Sequence, residues 1–257
     1  MRIIRLDIEY DGTRFSGWAE QPERRTCEGE LRRALGLVLR VPVDLRVAGR
    51  TDAGVHASGQ VASFAVDSGV DLRRVAKSLA GVLPHDIAVR SISDAPPGFD
   101  ARRSALSRSY EYRVLVGPRS PLRRRRVLHH PQPLDLAAME RAASACVGKH
   151  NFTAFTPTKT DHVFFNRTVF RCRWEQRGDE LVFGVEADAF LRNMVRILVG
   201  TMLEIGRGSR RVDEMADLVR GAPRSAAGRT APAHPLVLIG VRYPGATTAA
   251  PILGAAE

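Results

Sequence analysis

Apolar and polar residues alternate from the start of the chain. Ile4, Leu6, Ile8 and Tyr10 interleave with Arg5, Asp7 and Glu9, the two-residue period of a half-buried strand. The period then lengthens. Leu31, Leu35, Val38 and Leu39 recur at helical spacing, behind Thr26 as N-cap and with Glu28 and Glu30 in the first turn. Pro42 opens a second alternating run in which Val43, Leu45 and Val47 flank Asp44 and Arg46, and a strand is expected near Gln60–Val66. Asp71 can cap a helix carrying Leu72, Val75, Ala76 and Leu79, and a strand follows at Ile87–Ile92. The order β-α-β-β-α-β is the split βαβ, ferredoxin-like unit, a frequent RNA-binding architecture.

Asp94-Ala95-Pro96-Pro97-Gly98 reads as a linker. Beyond it a long strand places Leu106, Arg108, Tyr110, Tyr112, Val114 and Val116 on one face. Asp135 caps a helix through Leu136, Met139, Ala143, Cys146 and Val147, with Gly148 as its stop. Residues 151–166 show no period and read as a loop. Strands at Arg167–Gln176 and Glu180–Ala187 meet at Arg177-Gly178-Asp179, a hairpin signal. The long helix expected at Phe190–Ile205 is apolar on two faces, so most of it should be buried, and Arg192 and Arg196 share its remaining face. A short helix around Val212–Val219 and a last strand at Leu236–Val241 complete the pattern.

Composition adds a partner. The chain has 257 residues with 39 Lys+Arg against 28 Asp+Glu, a net charge of +11. Such an excess points to a polyanion. An anionic membrane surface has little support: no run of about 18 apolar residues exists, and acids are mixed into the polar helix faces. Cys27, Cys146 and Cys172 are scattered without CxxC spacing, against a disulfide framework or zinc site and in keeping with a reducing cytosol. Met1–Arg5 leads straight into alternation, without the apolar core of a secretion signal. The cations concentrate in residues 102–126, where Arg102, Arg103, Arg108, Arg113, Arg119, Arg123, Arg124, Arg125 and Arg126 face one acid, Glu111. Tyr110 and Tyr112 interleaved with Arg108 and Arg113 fit a surface on which bases stack and phosphates are held, and equally a sheet core with paired hydroxyls. Arg123–Arg126 is read as a phosphate contact. Phe15 and Trp18, beside a Gly turn, are read as caps on the core.

The candidate chemistry lies at Ala48–Ala57. Small residues, two glycines, Arg50, Asp52 and His56 sit there between two β-prone runs. Gly49 and Gly54 permit positive φ or a close backbone approach. A cation two residues from Asp52 favours the ionised carboxylate, which can act as nucleophile or base. The same residues also suit a structural Asx-turn with a local ion pair. Arg196, on a largely buried helix, needs an acid, and Asp52 is a candidate; snorkelling beside Arg192 is the alternative. His56 is read as holding the turn through a backbone hydrogen bond. No HExxH, P-loop or GxGxxG in strand–helix context is present, and His129-His130 lack further ligands for a metal.

The chain resembles the tRNA pseudouridine synthase A family on several stretches. These are Leu6–Thr13 with Phe15-Ser16-Gly17-Trp18, Gly49–Ala57, Leu83-Pro84-His85-Asp86-Ile87, Phe99-Asp100-Ala101-Arg102, Tyr110-Glu111-Tyr112, Phe190–Thr201 and Ala231-Pro232-Ala233. Ala19 stands where the family commonly has Gln, and Pro235 where it usually has Gly. The resemblance implies isomerisation of uridine to pseudouridine in the tRNA anticodon stem-loop, at tRNA positions 38, 39 and 40. It implies Asp52 as the catalytic nucleophile, Arg50 in base flipping, Arg196 beside the aspartate and Tyr110 against the target base. It implies no cofactor and no metal, a homodimer, and a cytoplasmic location. Further RNA contacts are expected from Arg14, Arg102, Arg108, Arg123, Arg124, Arg125 and Arg126. The expected fold is α+β, with two ferredoxin-like halves joining in a mixed, mainly antiparallel sheet around a central cleft. The halves are placed at 1–97 and 98–245, with a flexible tail at 246–257. Two other functions fit the same scaffold: a pseudouridine synthase acting on another RNA or a nucleotide, and a non-catalytic RNA-binding protein. Joint retention of Arg50, Asp52, Tyr110 and Arg196 argues against the last, and the Arg-rich stretch against a free nucleotide.

Overall fold

A computed structural model of the chain describes residues 1–245; the tail expected at 246–257 lies outside the described residues. The elements in order are β1 (Arg2–Tyr10), α1 (Cys27–Leu39), β2 (Arg46–Val47), β3 (His56–Val66), α2 (Leu72–Val82), β4 (Ile87–Asp94), β5 (Ser107–Val116), β6 (Leu128–His130), α3 (Leu136–Ser144), β7 (Gly148–Asn151), β8 (Asn166–Arg177), β9 (Glu180–Ala187), α4 (Met194–Gly206), α5 (Glu214–Leu218) and β10 (Leu236–Arg242). The α+β class is as expected. Three expected N-caps are in place: Thr26, Asp71 and Asp135 each accept a hydrogen bond from the first turn of their helix.

The described chain falls into two compact units, Met1–Arg108 with residues 237–245, and Ser109–Leu236. In the first, the strands lie in the order β4-β1-β3-β10, with β2 on β3. β1 runs antiparallel to both β3 and β4, in register Leu6↔Ala62 and Leu6↔Ile92, while β10 runs parallel to β3 at Val237↔His56. In the second unit the order is β5-β9-β8-β7, with β6 parallel to β5. α3 packs on β8 and α4. Trp174 and Phe183, opposite each other in the β8–β9 ladder, pack with ring centroids 5.0 Å apart, and the Trp174 indole N–H points at Met202 Sδ of α4.

Several expectations shift. The Ala95–Gly98 linker does not end the first unit, because Phe99 and Ala101 beyond it pack with Ala48, Val61 and Tyr243. Tyr243 donates to the Ala101 carbonyl at 2.7 Å, and Ala101 N–H donates to Ser63 Oγ. The strand that would close a second β-α-β-β-α-β run, β10, belongs to the first unit. β2 is two residues long rather than five, although Val43 and Leu45 are buried as their alternation requires. α3 stops at Ser144: the N–H groups of Cys146 and Val147 reach only three residues back, and Gly148, at φ +112°, opens β7.

Candidate active site

The Asp52 loop joins β2 to β3, and a second layer of side chains fixes it from behind. Tyr10, at the end of β1, meets Thr51 Oγ1 with its hydroxyl at 2.7 Å. Gln60, fully buried on β3, donates to the Gly49 carbonyl at 2.8 Å. The Trp18 N–H binds Thr51 O, the Gly54 N–H binds Phe15 O, and the Val55 N–H closes a turn on Asp52 O. Gly17, at φ +99°, lets this layer approach: a Cβ there would lie 3.0 Å from Thr51 O. Phe15 and Trp18 are buried in a cluster with the Tyr10 ring, which makes them core caps rather than stacking platforms. Gly54 takes the positive φ expected of it; Gly49 does not.

Asp52 itself is half-buried between buried Thr51 and Val55. Arg50 is exposed and makes no ion pair among the described residues, so the local Arg50–Asp52 pair of a purely structural turn is not formed. His56 is fully buried, and its Nδ1 accepts from the Gly12 N–H at 3.0 Å, the turn-holding bond expected of it. The 11–18 segment is tied back in turn: Arg25 grips Asp86 through two bonds of 2.7 Å and lies over the Phe15 ring. Hydrogen bonds from Arg25 hold the Asp86 carboxyl below the usual aspartate range.

Arg108 departs from expectation. It was expected on RNA, yet it is buried and donates to the carbonyls of Ala48, Ala105 and Arg102 at 2.7–3.2 Å. A guanidinium spread over three main-chain acceptors splints the chain on both sides of the linker and fixes the Asp52 loop at its root. The signal was present in its alternation with buried positions, but a basic neighbourhood masked it.

In the second unit, Tyr110 and Tyr112 are both buried on β5. Tyr110 meets Phe190 edge-on at 5.1 Å, and Tyr112 donates to the Pro232 carbonyl at 3.1 Å. Burial pushes the Tyr112 phenol well above its ordinary pKa, with the Arg196 charge pulling the other way, so it remains a donor. The other face of β5 is buried too: Glu111 pairs with Arg113 and Arg177.

Arg196 sits in the first turn of α4, half-buried among buried neighbours. The helix starts at Met194, not Phe190, because Asn193 is left-handed, at φ +60°. Arg196 donates through Nε to Ala231 O at 2.8 Å and through Nη1 to Asn193 Oδ1 at 3.0 Å. Residues 228–231 form a strap along the same helix face. Ala231 N–H binds Arg196 O, Gly228 N–H binds Thr201 Oγ1, and Arg229 N–H binds Glu204 Oε1. Gly200 makes this possible, since a Cβ there would fall 1.7 Å from Arg229 O. Neither Asn193 nor the strap was legible as part of the site from residue spacing.

A backed aspartate loop, a buried tyrosine strand and a strapped arginine helix can be compared with known proteins. A family model described as tRNA pseudouridine synthase matches residues 8–102 and 142–244. The chain belongs to the tRNA pseudouridine synthase family. Relatives named tRNA pseudouridine synthase A match most of its length. The protein of Anoxybacillus flavithermus is 41% identical over 95% of this chain and 99% of its own. That of Frankia casuarinae is 46% identical over 94% and 89%, and that of Halalkalibacterium halodurans 41% over 92% and 91%. Among solved structures, a chain of a Cbf5-Nop10-Gar1 complex matches at 13% identity and a TM-score of 0.34, covering 78% of this chain and 54% of that one. At that level of superposition the likeness carries no part of the assignment.

In this synthase-family chain the remaining cations divide by exposure. Arg14, Arg102, Arg124, Arg125 and Arg126 are exposed. Arg123 is half-buried and binds Asp179 and Glu180, the former through both terminal nitrogens, and these bonds raise its pKa further. The Arg126 N–H closes a turn on Arg123 O, so this ion pair anchors the Arg-rich segment rather than extending it. Among the described residues no group of three or more His, Cys, Asp or Glu side chains could hold a metal ion, and no helix is long and apolar enough to cross a membrane.

Proposed function

We propose that the chain isomerises uridine to pseudouridine in the tRNA anticodon stem-loop, at tRNA positions 38, 39 and 40, with Asp52 as the catalytic nucleophile. The membership of the family carries the reaction class. The observation that supports the residue assignment is the Asp52 loop, whose backbone is held at Ala48, Gly49, Thr51 and Gly54 and whose Thr51 is held by its hydroxyl as well. The network fixes the backbone on both sides of the half-buried Asp52.

The chemistry is conservative in atoms. The C1′–N1 glycosidic bond breaks, the base turns, and C5 joins C1′; the C5 proton leaves and N1 gains one. Substrate and product are isomers, so no oxidant, reductant or group donor is required. Asp52 offers an anionic oxygen to the electron-poor centre created as N1 departs. The family resemblance gives Arg196 the role of cation for the catalytic aspartate, and within its own unit the guanidinium direction is preset by Ala231 O and Asn193 Oδ1. Tyr110 packs on the target base, and exposed Arg50 fills the place that the extruded base leaves. Exposed Arg14, Arg102, Arg124, Arg125 and Arg126 hold phosphates. A homodimer and a cytoplasmic location complete the reading, both from the family resemblance.

The test uses unmodified tRNA transcripts with single uridines at tRNA positions 38, 39 or 40. Each should be converted and mapped as pseudouridine without added metal or cofactor. Conversion confined to uridines outside the anticodon stem-loop would overturn the substrate assignment.

A further inference from the structure

Three non-glycine residues among the described ones have positive φ: Glu23, Arg40 and Asn193. The first lies in a turn and the second caps the C-terminus of α1, where left-handed backbone is ordinary. Asn193 alone stands at the start of a helix. An N-cap normally adopts extended backbone and spends its side-chain oxygen on the N–H groups of the first turn. Asn193 does neither. Its φ is +60°, and its side chain makes no capping bond. Its Oδ1 instead accepts from Arg196 Nη1 at 3.0 Å, while its main-chain carbonyl takes the Ile197 N–H in the ordinary helical way. The residues around it are fixed: Met194 N–H binds Leu191 O, and Arg192 N–H binds His162 Nε2.

We propose that Asn193 is a positioning residue that, with the Ala231 carbonyl, sets the direction of the Arg196 guanidinium for the reaction. The proposal rests on the role given to Arg196 above. One acceptor would leave a guanidinium free to swing about a single bond. Two acceptors, on Nε and Nη1, fix its plane. A left-handed backbone at residue 193 is what brings an amide three residues upstream round to Nη1, and asparagine is the side chain that combines tolerance of that backbone with a neutral acceptor. A carboxylate at the same point would compete for the Arg196 charge; an amide directs the charge without neutralising it.

Asn193→Gly tests this directly. Glycine accepts the left-handed backbone without strain and no capping bond exists to lose, so the fold and melting temperature should hold. Single-turnover pseudouridine formation should slow roughly tenfold or more, the scale of one hydrogen bond to a charged group, while tRNA affinity changes less than about twofold. In an Arg196→Met background, followed over long incubations, Asn193→Gly should slow the reaction no further. Wild-type turnover in Asn193→Gly would overturn the proposal, as would an equal slowing in both backgrounds. So would a lowered melting temperature with turnover intact, the mark of a purely structural role. Wild-type turnover in Arg196→Met alone would instead overturn the role of Arg196 itself.

Discussion

Arg108 and Arg196 are both held by main-chain carbonyls, yet the two regions use a guanidinium in opposite ways. At Arg108 it spreads over the carbonyls of Ala48, Ala105 and Arg102 and is buried with them. At Arg196 a carbonyl holds Nε and an amide oxygen holds Nη1, and the side chain stays half-exposed in the first turn of α4. Burial over several main-chain carbonyls makes the first a splint, whereas the second takes a side-chain amide as well as a carbonyl. Residue type alone does not separate them, since both are arginines.

This contrast can be broken by substitution. Arg108→Met should have the largest effect on stability. It leaves three carbonyls without their donor in a buried site, and about 3 kcal/mol or more should be lost in denaturant unfolding. Arg196→Met should unfold within about 1 kcal/mol of wild type, because methionine keeps the apolar stem and the strap retains its other bonds, while losing activity at least a hundredfold. Equal destabilisation of the two variants would erase the distinction.

The Arg-rich turn gives a smaller effect. Arg124→Ala should lower the slope of log affinity for tRNA against log salt by about one ion, whereas Arg123→Ala should leave that slope unchanged, because Arg123 is already neutralised by Asp179 and Glu180. Salt slopes that fall equally would mean that Arg123 leaves its acids when RNA binds. The smallest effect is expected at Tyr112→Phe, which removes one hydrogen bond to Pro232 O and should cost about 1 kcal/mol of stability with little change in turnover.

Local rules made much of this fold legible. Thr26, Asp71 and Asp135 mark helix starts because a capping side chain acts within three residues of itself. The Arg177-Gly178-Asp179 turn and the β8–β9 hairpin follow from the same short range. The division into units was not legible, because Phe99 and Ala101 cross the linker to pack on Ala48 and Val61, a contact set by tertiary packing. At the candidate site, composition and spacing single out Asp52 and Arg50, and only the family resemblance gives them roles. Arg108 is not separable from its exposed neighbours in the sequence, because a buried arginine and an exposed one look alike until their acceptors are known. Asn193 is hidden inside an apolar helical period, since a backbone that turns left-handed for one residue leaves no mark on periodicity.

Asp52→Asn provides the sharpest test. The amide matches the carboxylate in shape and leaves the bonds of Tyr10, Gln60 and Arg108 to the loop untouched, so the variant should fold and bind unmodified tRNA as wild type does. In a single-turnover assay it should form no detectable pseudouridine where the wild-type chain converts its substrate. Pseudouridine formed by Asp52→Asn at the wild-type rate would contradict the assignment of Asp52 as the reacting group.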